Sequence, residues 1–219
     1  MNSSKPKNNI VLDFDGTLLD SRHRHAVVLS DCINIINKMK STYHDFDDFV
    51  SYKSEVNTGL DYLHKKKIPN SEAISELWTK KIEDKKYLKT DVLYPNISKC
   101  LDIIKKQYNL FLITARANKK NAIWQISQLN IDTFFTEIFI VSNIGDVGYN
   151  KYMAIKSYPI FCVIGDMEAD YDFAKRIRSF FFPMNCGFRS ETYWKHCIGK
   201  SYKNIQEILS QILNNYEKK

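Results

Sequence analysis

Two aspartates one residue apart, Asp13 and Asp15, are the residues of this 219-residue chain best suited to chemistry. They directly follow an apolar run at residues 10–12 and precede Gly16 and Thr17. The run is typical of a buried parallel strand, and the Asp-x-Asp-Gly sequence would turn the chain at its end. Ligands of doubly wound sheets bind outside the carboxyl ends of the strands. Because crowded carboxylates repel unless a cation or shared proton relieves them, the pattern predicts a Mg²⁺ site holding a nucleophile or an acid/base.

The rest of the chain alternates between strand and helix patterns. Apolar runs typical of buried strands lie at residues 110–113, 138–141, 161–164 and 179–182. Helical patterns follow the first and third of these runs, at residues 122–129 and 169–177. The last helix carries one apolar stripe formed by Ile205, Ile208, Leu209, Ile212, Leu213 and Tyr216. The alternation predicts an α/β fold, a Rossmann-like doubly wound parallel sheet with right-handed crossovers.

A long segment without strand signals separates the first strand from the others. A helical stripe there is formed by Leu29, Ile33, Ile36 and Met39. Residues 60–67 and 71–85 are predicted to form further helices, the second with Ser71 as its N-cap. We therefore expect a catalytic core made of residues 1–19 and 93–219, with an inserted all-helical cap domain at residues 20–92. Emerging beside the paired aspartates, the cap is placed to act as a lid.

Three more polar signals stand where strands are predicted to end. Thr114 closes the second strand, and Lys151 follows the third after a glycine-containing loop. Asp166 and Asp170, within Gly-Asp-x-x-x-Asp, follow the fourth. The carboxyl ends of parallel strands meet at one edge of a sheet, so we expect these side chains to converge on the first motif.

The ordered set resembles the motifs of the haloacid dehalogenase (HAD) superfamily of phosphotransferases over nearly the whole chain. The helical insertion resembles the type I cap of its phosphoglycolate-phosphatase-like members. Each motif alone is weak evidence for the family, but four motifs in the same order, each at the end of a predicted strand, are specific to it. Dehalogenases lack the carboxylate at the position of Asp15, so the resemblance implies phosphoryl transfer rather than cleavage of a carbon–halogen bond.

The resemblance also implies a metal-dependent covalent mechanism. Asp13 would be the nucleophile that forms an aspartyl-phosphate, and it would also bind Mg²⁺. Asp15 would bind the metal through its backbone carbonyl, and its side chain would act as the general acid and base. Asp166 would be a direct carboxylate ligand. Asp170 would bind through water or orient the site, and Glu168 is an alternative to it.

The resemblance implies that other residues of the same motifs bind the phosphoryl group. Thr114, with backbone N–H groups around Gly16 and Ala115, would hold the phosphoryl oxygens. Lys151 would stabilise the charge of the transition state, and Lys156 is the alternative, since the proline that often follows this lysine in the family is absent.

Arginines near the motifs have two possible roles. The insertion starts with Arg22, His23, Arg24 and His25. These side chains could bind a second anionic group of the substrate, such as a carboxylate or another phosphate, or they could form an ordinary solvated helix start. Arg116, just past the threonine of the second motif, could instead pair with an acidic neighbour.

Three functions agree with these motifs. The first is a Mg²⁺-dependent phosphatase acting on a small phosphorylated metabolite such as a sugar phosphate, a phospho-acid or a nucleotide. The second is a phosphotransferase of the β-phosphoglucomutase type, which passes the phosphoryl group to a sugar hydroxyl. The third is a non-catalytic binding protein on a HAD scaffold.

Composition limits the partners and the compartment. The net charge of +7 favours anionic partners, but the lysines are scattered, so nucleic acid is not expected. No stretch approaches the roughly 20 apolar residues of a membrane span, and no hydrophobic signal region precedes the first predicted strand. The five cysteines lack Cys-x-x-Cys spacing and fit reduced thiols in a cytoplasmic protein. The residues do not specify the oligomeric state.

Overall fold

The computed structural model describes residues 7–38, 46–55 and 57–216, with side chains up to residue 213. Its strands are β1 (Asn9–Leu12), β2 (Leu19–Asp20), β3 (Val92–Leu93), β4 (Asn109–Ala115), β5 (Glu137–Val141), β6 (Ile160–Gly165) and β7 (Phe180–Pro183). Five of them form one parallel sheet in the order β5-β4-β1-β6-β7. The predicted Rossmann-like α/β fold is confirmed, with β1 at the centre of the sheet.

Helices cover both faces of this sheet. They are α6 (Ile97–Ile104), α7 (Lys119–Gln128), α8 (Val147–Ile155), α9 (Glu168–Arg176), α10 (Glu191–Ile198) and α11 (Ile205–Tyr216). Ile10 and Leu12 of β1 pack in an apolar cluster with α6 and α11, whereas Val11 packs on the opposite face with α8, α9 and α10. Burial on both faces explains why the central strand is a continuous apolar run.

The parallel register brings the candidate residues to one edge of the sheet. Leu12, the last residue of β1, pairs with Leu112 of β4 and Ile164 of β6. Asp13 follows β1 directly, Thr114 lies near the end of β4, and Asp166 follows β6. The convergence expected from the sequence therefore occurs at the carboxyl edge of the three central strands.

A helical insertion lies between β2 and β3. It contains α1 (Arg22–Asn37), α2 (Phe46–Ser54), α3 (Gly59–Lys65), α4 (Ser71–Lys81) and α5 (Lys85–Leu88). These helices have their own apolar cluster, which includes Val28, Phe49, Tyr62 and Ile74. A helical cap inserted after the first strand is thus confirmed, while the domain limits at residues 20 and 92 remain a prediction.

Two local features of the insertion differ from the prediction. Asn70, in a left-handed conformation with φ 60°, is the N-cap of α4, and Ser71 is the first helical residue. The Ser71 hydroxyl donates a hydrogen bond to the Ile68 carbonyl at 2.6 Å, so it does not cap. At the base of the insertion, β2 and β3 form an antiparallel pair that was not predicted, because two residues are too few for a strand pattern.

Some predictions fall outside the described part of the chain. Met39 of the first helical stripe and the side chain of Tyr216 of the last one are not among the described residues. All five cysteines are free, as predicted. Among the described helices, none has the length and apolar character that crossing a bilayer would require.

Candidate active site

Three buried carboxylates meet at the carboxyl edge of the sheet. They belong to Asp13 after β1, Asp166 after β6 and Asp170 in the first turn of α9. One oxygen of each lies within 4.8 Å of the others. Hard divalent cations such as Mg²⁺ bind oxygen ligands, and carboxylates above all. The donor set therefore fits the divalent metal expected from the sequence, and the arrangement itself does not identify the ion.

The ammonium group of Lys151 lies inside this cluster. Its Nζ donates to Asp13 Oδ1 at 2.6 Å and to Asp170 Oδ1 at 2.5 Å, and all three side chains are buried. Three ionised carboxylates exceed this single ammonium by two negative charges. A divalent cation would neutralise that excess.

The shortage of positive charge shows in the pKa values of the aspartates. Burial, followed by the charge of Asp170, raises the pKa of Asp13 to about 7, although Lys151 acts in the opposite direction. Burial, followed by the charges of Asp13 and Asp170, raises the pKa of Asp166 well above its usual range. A bound divalent cation would favour the ionised forms of both groups.

Two glycines make room for the Asp166 carboxylate. A Cβ atom would lie 2.1 Å from Asp166 Oδ2 if built on Gly16 and 2.0 Å if built on Gly187. The same carboxylate accepts hydrogen bonds from the Phe188 N–H at 3.2 Å and from the Thr17 hydroxyl at 3.4 Å. The chain thus closes around Asp166 from two loops and fixes its orientation.

Asp15 lies beside the cluster and pairs with two arginines. Arg116 binds both of its carboxylate oxygens, at 2.7 Å each, and Arg24 of α1 forms a second ion pair with it. Burial alone would raise the pKa of Asp15, but the guanidinium groups of Arg116 and Arg24 outweigh it and lower the pKa below its ordinary value. The predicted pairing of Arg116 with an acidic neighbour is confirmed.

A buried polar network supports this pair of arginines. Gln125 of α7 accepts a hydrogen bond from Arg116 at 3.1 Å and donates one to Asp91 at 2.6 Å. Asp91 in turn lies 3.4 Å from the Nε atom of Arg24. The network joins the cap helix α1 to the core helix α7 through Asp15.

The sequence left two alternatives open, Lys156 in place of Lys151 and Glu168 in place of Asp170, and neither alternative lies in the carboxylate cluster. Lys156 is exposed at the end of α8, whereas Lys151 contacts Asp13. Glu168 pairs with Arg189, whereas Asp170 lies in the carboxylate cluster. The structure therefore brings Lys151 and Asp170 to the cluster, and their catalytic roles remain predictions.

Candidate phosphate donors line the loop after β1. Thr114 is buried near the end of β4, one residue before Ala115. The N–H of Gly16 is already used, because it donates to the Leu19 carbonyl at 2.8 Å. Within the described part of the chain, the N–H groups of Phe14 and Asp15 have no acceptor. These two amides are better available to phosphoryl oxygens than that of Gly16 itself.

The two arginines predicted to bind substrate are engaged by the protein. Arg22 binds Asp20 through two side-chain hydrogen bonds, of 2.8 and 2.6 Å. Arg24 is buried against Asp15 and Asp91. Substrate binding by either residue remains a prediction.

Comparisons with known proteins agree with this site. A model of haloacid dehalogenase-like hydrolases matches residues 7–178. The chain belongs to this family. No sequence among the curated proteins matches significantly.

Solved structures share the fold of this HAD-like hydrolase at low identity. A haloacid dehalogenase-like family hydrolase from Streptococcus pneumoniae is 16% identical, with a TM-score of 0.72 over 94% of this chain and 98% of its own. A predicted phosphatase from Clostridium acetobutylicum is 17% identical, with a TM-score of 0.71 over 95% and 99%. A predicted phosphoglycolate phosphatase from Haemophilus somnus is 15% identical, with a TM-score of 0.71 over 96% and 100%.

Several residues that surround the site of this HAD-like hydrolase were not predicted. Glu83, between α4 and α5, accepts hydrogen bonds from the N–H groups of Ala117 at 2.9 Å and Asn118 at 2.6 Å, at the start of α7. Lys53 of α2 and Phe188 of the core also approach the site. All of them lie outside the motifs, in helices or loops whose sequence carries no signal of long-range contacts.

The space for Asp166 provides a test of the carboxylate cluster. The substitution Gly187→Ala is expected to lower Mg²⁺ affinity at least tenfold and to destabilise the fold by about 1–3 kcal/mol, because the new methyl group displaces the carboxylate. Calorimetric Mg²⁺ titration and urea unfolding would measure both effects. Gly59→Ala is the matched control, since a Cβ there meets no atom within 4 Å. Equal Mg²⁺ affinity in the two variants would contradict the cluster.

Proposed function

We propose that this HAD-like hydrolase is a Mg²⁺-dependent phosphatase of small phosphate monoesters that acts through an aspartyl-phosphate. The observation that carries the proposal is the buried cluster of Asp13, Asp166 and Asp170 with Lys151 inside it. A nucleophilic carboxylate can approach a phosphate dianion only where cations offset their repulsion. This cluster combines a carboxylate, an ammonium group and ligands for a divalent cation in one place.

Asp13, Asp166 and Asp170 would hold the Mg²⁺ ion, together with the backbone carbonyl of Asp15. When bound, Mg²⁺ would neutralise charge on the phosphoryl oxygens and on the attacking carboxylate. Lys151 would add a fixed positive charge beside Asp13, at the distance of 2.6 Å already present between their side chains. The charge balance of the buried cluster, which needs two further positive charges, supports this assignment.

In the first half-reaction, a carboxylate oxygen of Asp13 would attack phosphorus, and the ester oxygen would leave. Thr114 and the N–H groups of Phe14 and Asp15 would hold the phosphoryl oxygens. Preorganised donors of this kind lower the barrier because they need no rearrangement as charge shifts. The leaving oxygen would take a proton from the Asp15 carboxyl group.

In the second half-reaction, water would attack phosphorus of the aspartyl-phosphate while the Asp15 carboxylate takes its proton. The bond between phosphorus and the Asp13 oxygen would break, which restores the Asp13 carboxylate and releases inorganic phosphate. Arg116 and Arg24 lower the pKa of Asp15, so its carboxylate is in the ionised form that this step requires. Loss of one arginine contact would raise its pKa and favour the protonated form needed for the first half-reaction. Because Arg24 belongs to the cap, movement of the cap away from the core would break its contact with Asp15 and raise the pKa of Asp15.

The expected substrate is a small phosphorylated metabolite in the cytoplasm. The net positive charge of the chain and its free cysteines support this expectation.

The proposed function is tested by phosphate release from a panel of sugar phosphates, phospho-acids and nucleotides, with Mg²⁺ and with a chelator. Chelator-sensitive release is expected from one compound class. Transfer of labelled phosphoryl to an acceptor sugar, without release to water, would instead support a mutase. Absence of both reactions in a folded protein that binds Mg²⁺ would contradict the proposal.

Replacement of the nucleophile is expected to stop turnover. Asp13→Asn should lower kcat by about 10⁴-fold or more, because the amide keeps the shape of the carboxylate and loses its nucleophilicity. Trapping of acid-stable phosphate on the protein would fail in the same variant. Asp172→Asn, which weakens the ion pair with Arg176 on the outer side of α9, is the control and should retain wild-type kcat. Wild-type turnover by Asp13→Asn would rule out this nucleophile.

Arg116 is expected to position the acid/base side chain. Arg116→Met should lower kcat by about 10- to 100-fold, because Asp15 loses the bidentate partner that fixes its orientation. Arg116→Lys should recover only part of this loss, since lysine cannot bind both oxygens in a planar fork. The comparison is Arg176→Met, which breaks ion pairs on the surface of α9. If Arg116→Met and Arg176→Met had the same kcat, Arg116 would have no positioning role.

A further inference from the structure

Lys53 of the cap is a cation without an acidic partner. Its Nζ lies 3.3 Å from Nδ1 of His25 and 4.1 Å from the centre of the Phe188 ring. Across residues 7–38, 46–55 and 57–213, no carboxylate comes within 4.0 Å of this ammonium group. The ammonium group also lies 5.8 Å from the ring centres of Phe49 and Trp78. Rings and imidazole do not neutralise its charge, whereas most lysines that leave bulk water are paired with an acid, so a bound anion would supply the missing negative charge.

The same side chain lies next to the carboxylate cluster. Phe188, whose ring lies under the Lys53 ammonium, donates its N–H to Asp166 at 3.2 Å. The core also holds the backbone of this cap residue, because Arg189 donates to the Lys53 carbonyl at 2.6 Å. Arg189 is itself fixed by its ion pair with Glu168 at the start of α9. Lys53 is thus held over the site from the cap side.

The surroundings of Lys53 are positive and partly dry. Burial, followed by the charges of Arg189 and Arg24, lowers the pKa of Lys53 to about 7, although the charge of Asp166 acts in the opposite direction. Burial and the charge of Lys53 lower the pKa of His25 well below its usual value. A neutral His25 can accept a hydrogen bond from Lys53 through Nδ1, which leaves its Nε2–H as a second donor.

An unpartnered donor on Arg24 adds to this excess of positive charge. The Nη1 group of Arg24 is buried and has no hydrogen-bond acceptor among the described residues. Buried donors without acceptors are costly, and they are rare in folded proteins. An anion bound beside Lys53 would raise the pKa of its ammonium group, keep it charged and offset the surrounding positive field.

We propose that Lys53 and His25 form a second anion subsite in the cap, which binds a carboxylate or second phosphate on the leaving group of the substrate. This inference rests on the proposed phosphatase function. The phosphoryl group would lie at Asp13, and the second anionic group would lie toward α2. The substrate class then narrows to small phosphate monoesters that carry another negative charge.

The subsite is tested with matched esters that differ in one group. Phosphoglycolate carries a carboxylate, ethylene glycol bisphosphate carries a second phosphate, and 2-hydroxyethyl phosphate carries neither. The wild-type enzyme should prefer one or both of the doubly anionic esters in kcat/KM. Lys53→Met should lower kcat/KM for the preferred ester by about 10- to 100-fold and leave that for 2-hydroxyethyl phosphate within about twofold.

Two further variants separate charge from structure. Lys53→Arg keeps a cation at this position and should retain most of the preference. Lys65→Met is the matched control, because Lys65 also lies over an aromatic ring of the cap, at 4.4 Å from the centre of Tyr52, but is exposed on α3. It should behave as the wild type with all three esters. Equal losses for all three esters in Lys53→Met would overturn the subsite and indicate a structural role.

Binding to the Asp13→Asn protein with Mg²⁺ separates this inference from the proposed function. Calorimetry should show tighter binding of a doubly anionic ester than of 2-hydroxyethyl phosphate, and Lys53→Met in the same background should abolish the difference. If the wild type hydrolysed neither these esters nor the wider panel but this binding difference were present, the phosphatase function would fail and the subsite would stand. Equal binding of all three esters to Asp13→Asn would overturn the subsite whatever the activity.

Discussion

The concentration of negative charge at one buried point is the constraint on which this structure depends. Three carboxylates approach one another at the carboxyl edge of the sheet, and one ammonium group, that of Lys151, lies among them. Burial of like charges in a protein interior is unfavourable, so the packing of the surrounding chain must offset this cost and hold the three carboxylates together. The continuous apolar strand at residues 10–12 and the glycines around Asp166 serve this purpose, since they allow the chain to pack closely around the carboxylates.

A second set of charged groups forms where the cap meets the core, and there the arginines face the carboxylates of Asp15 and Asp91. Arg24 and Arg116 converge on Asp15, and Lys53 lies nearby without an acidic partner. A substrate with an anionic group at each end would thus meet a cation at each end, Lys151 beside Asp13 and Lys53 under the cap.

The site residues that could be predicted from the sequence are those that directly follow or end a predicted strand of the sheet. Asp13, Thr114 and Asp166 were predictable because parallel strands bring their carboxyl ends to one edge, whatever the loops do. The pair β2 and β3 was missed because two residues show no periodicity. Lys53 was missed for another reason: it reaches the site from a helix of the insertion, and the packing of that helix on the core follows from tertiary contacts that no sequence pattern records.

Glu83 has a consequence for the dynamics of the whole molecule. The carboxylate of this cap residue accepts hydrogen bonds from the amides of Ala117 and Asn118, which lie just before core helix α7, while Gln125 of that helix supports Arg116. Opening of the cap would therefore expose these two amide hydrogens to solvent and release the Asn121 side chain, which donates to the Glu83 carbonyl from the start of α7. The rate at which those amides exchange with deuterium would then report how often the cap opens. The hydrogen bonds of Glu83 would thus help to set the lifetime of the closed state.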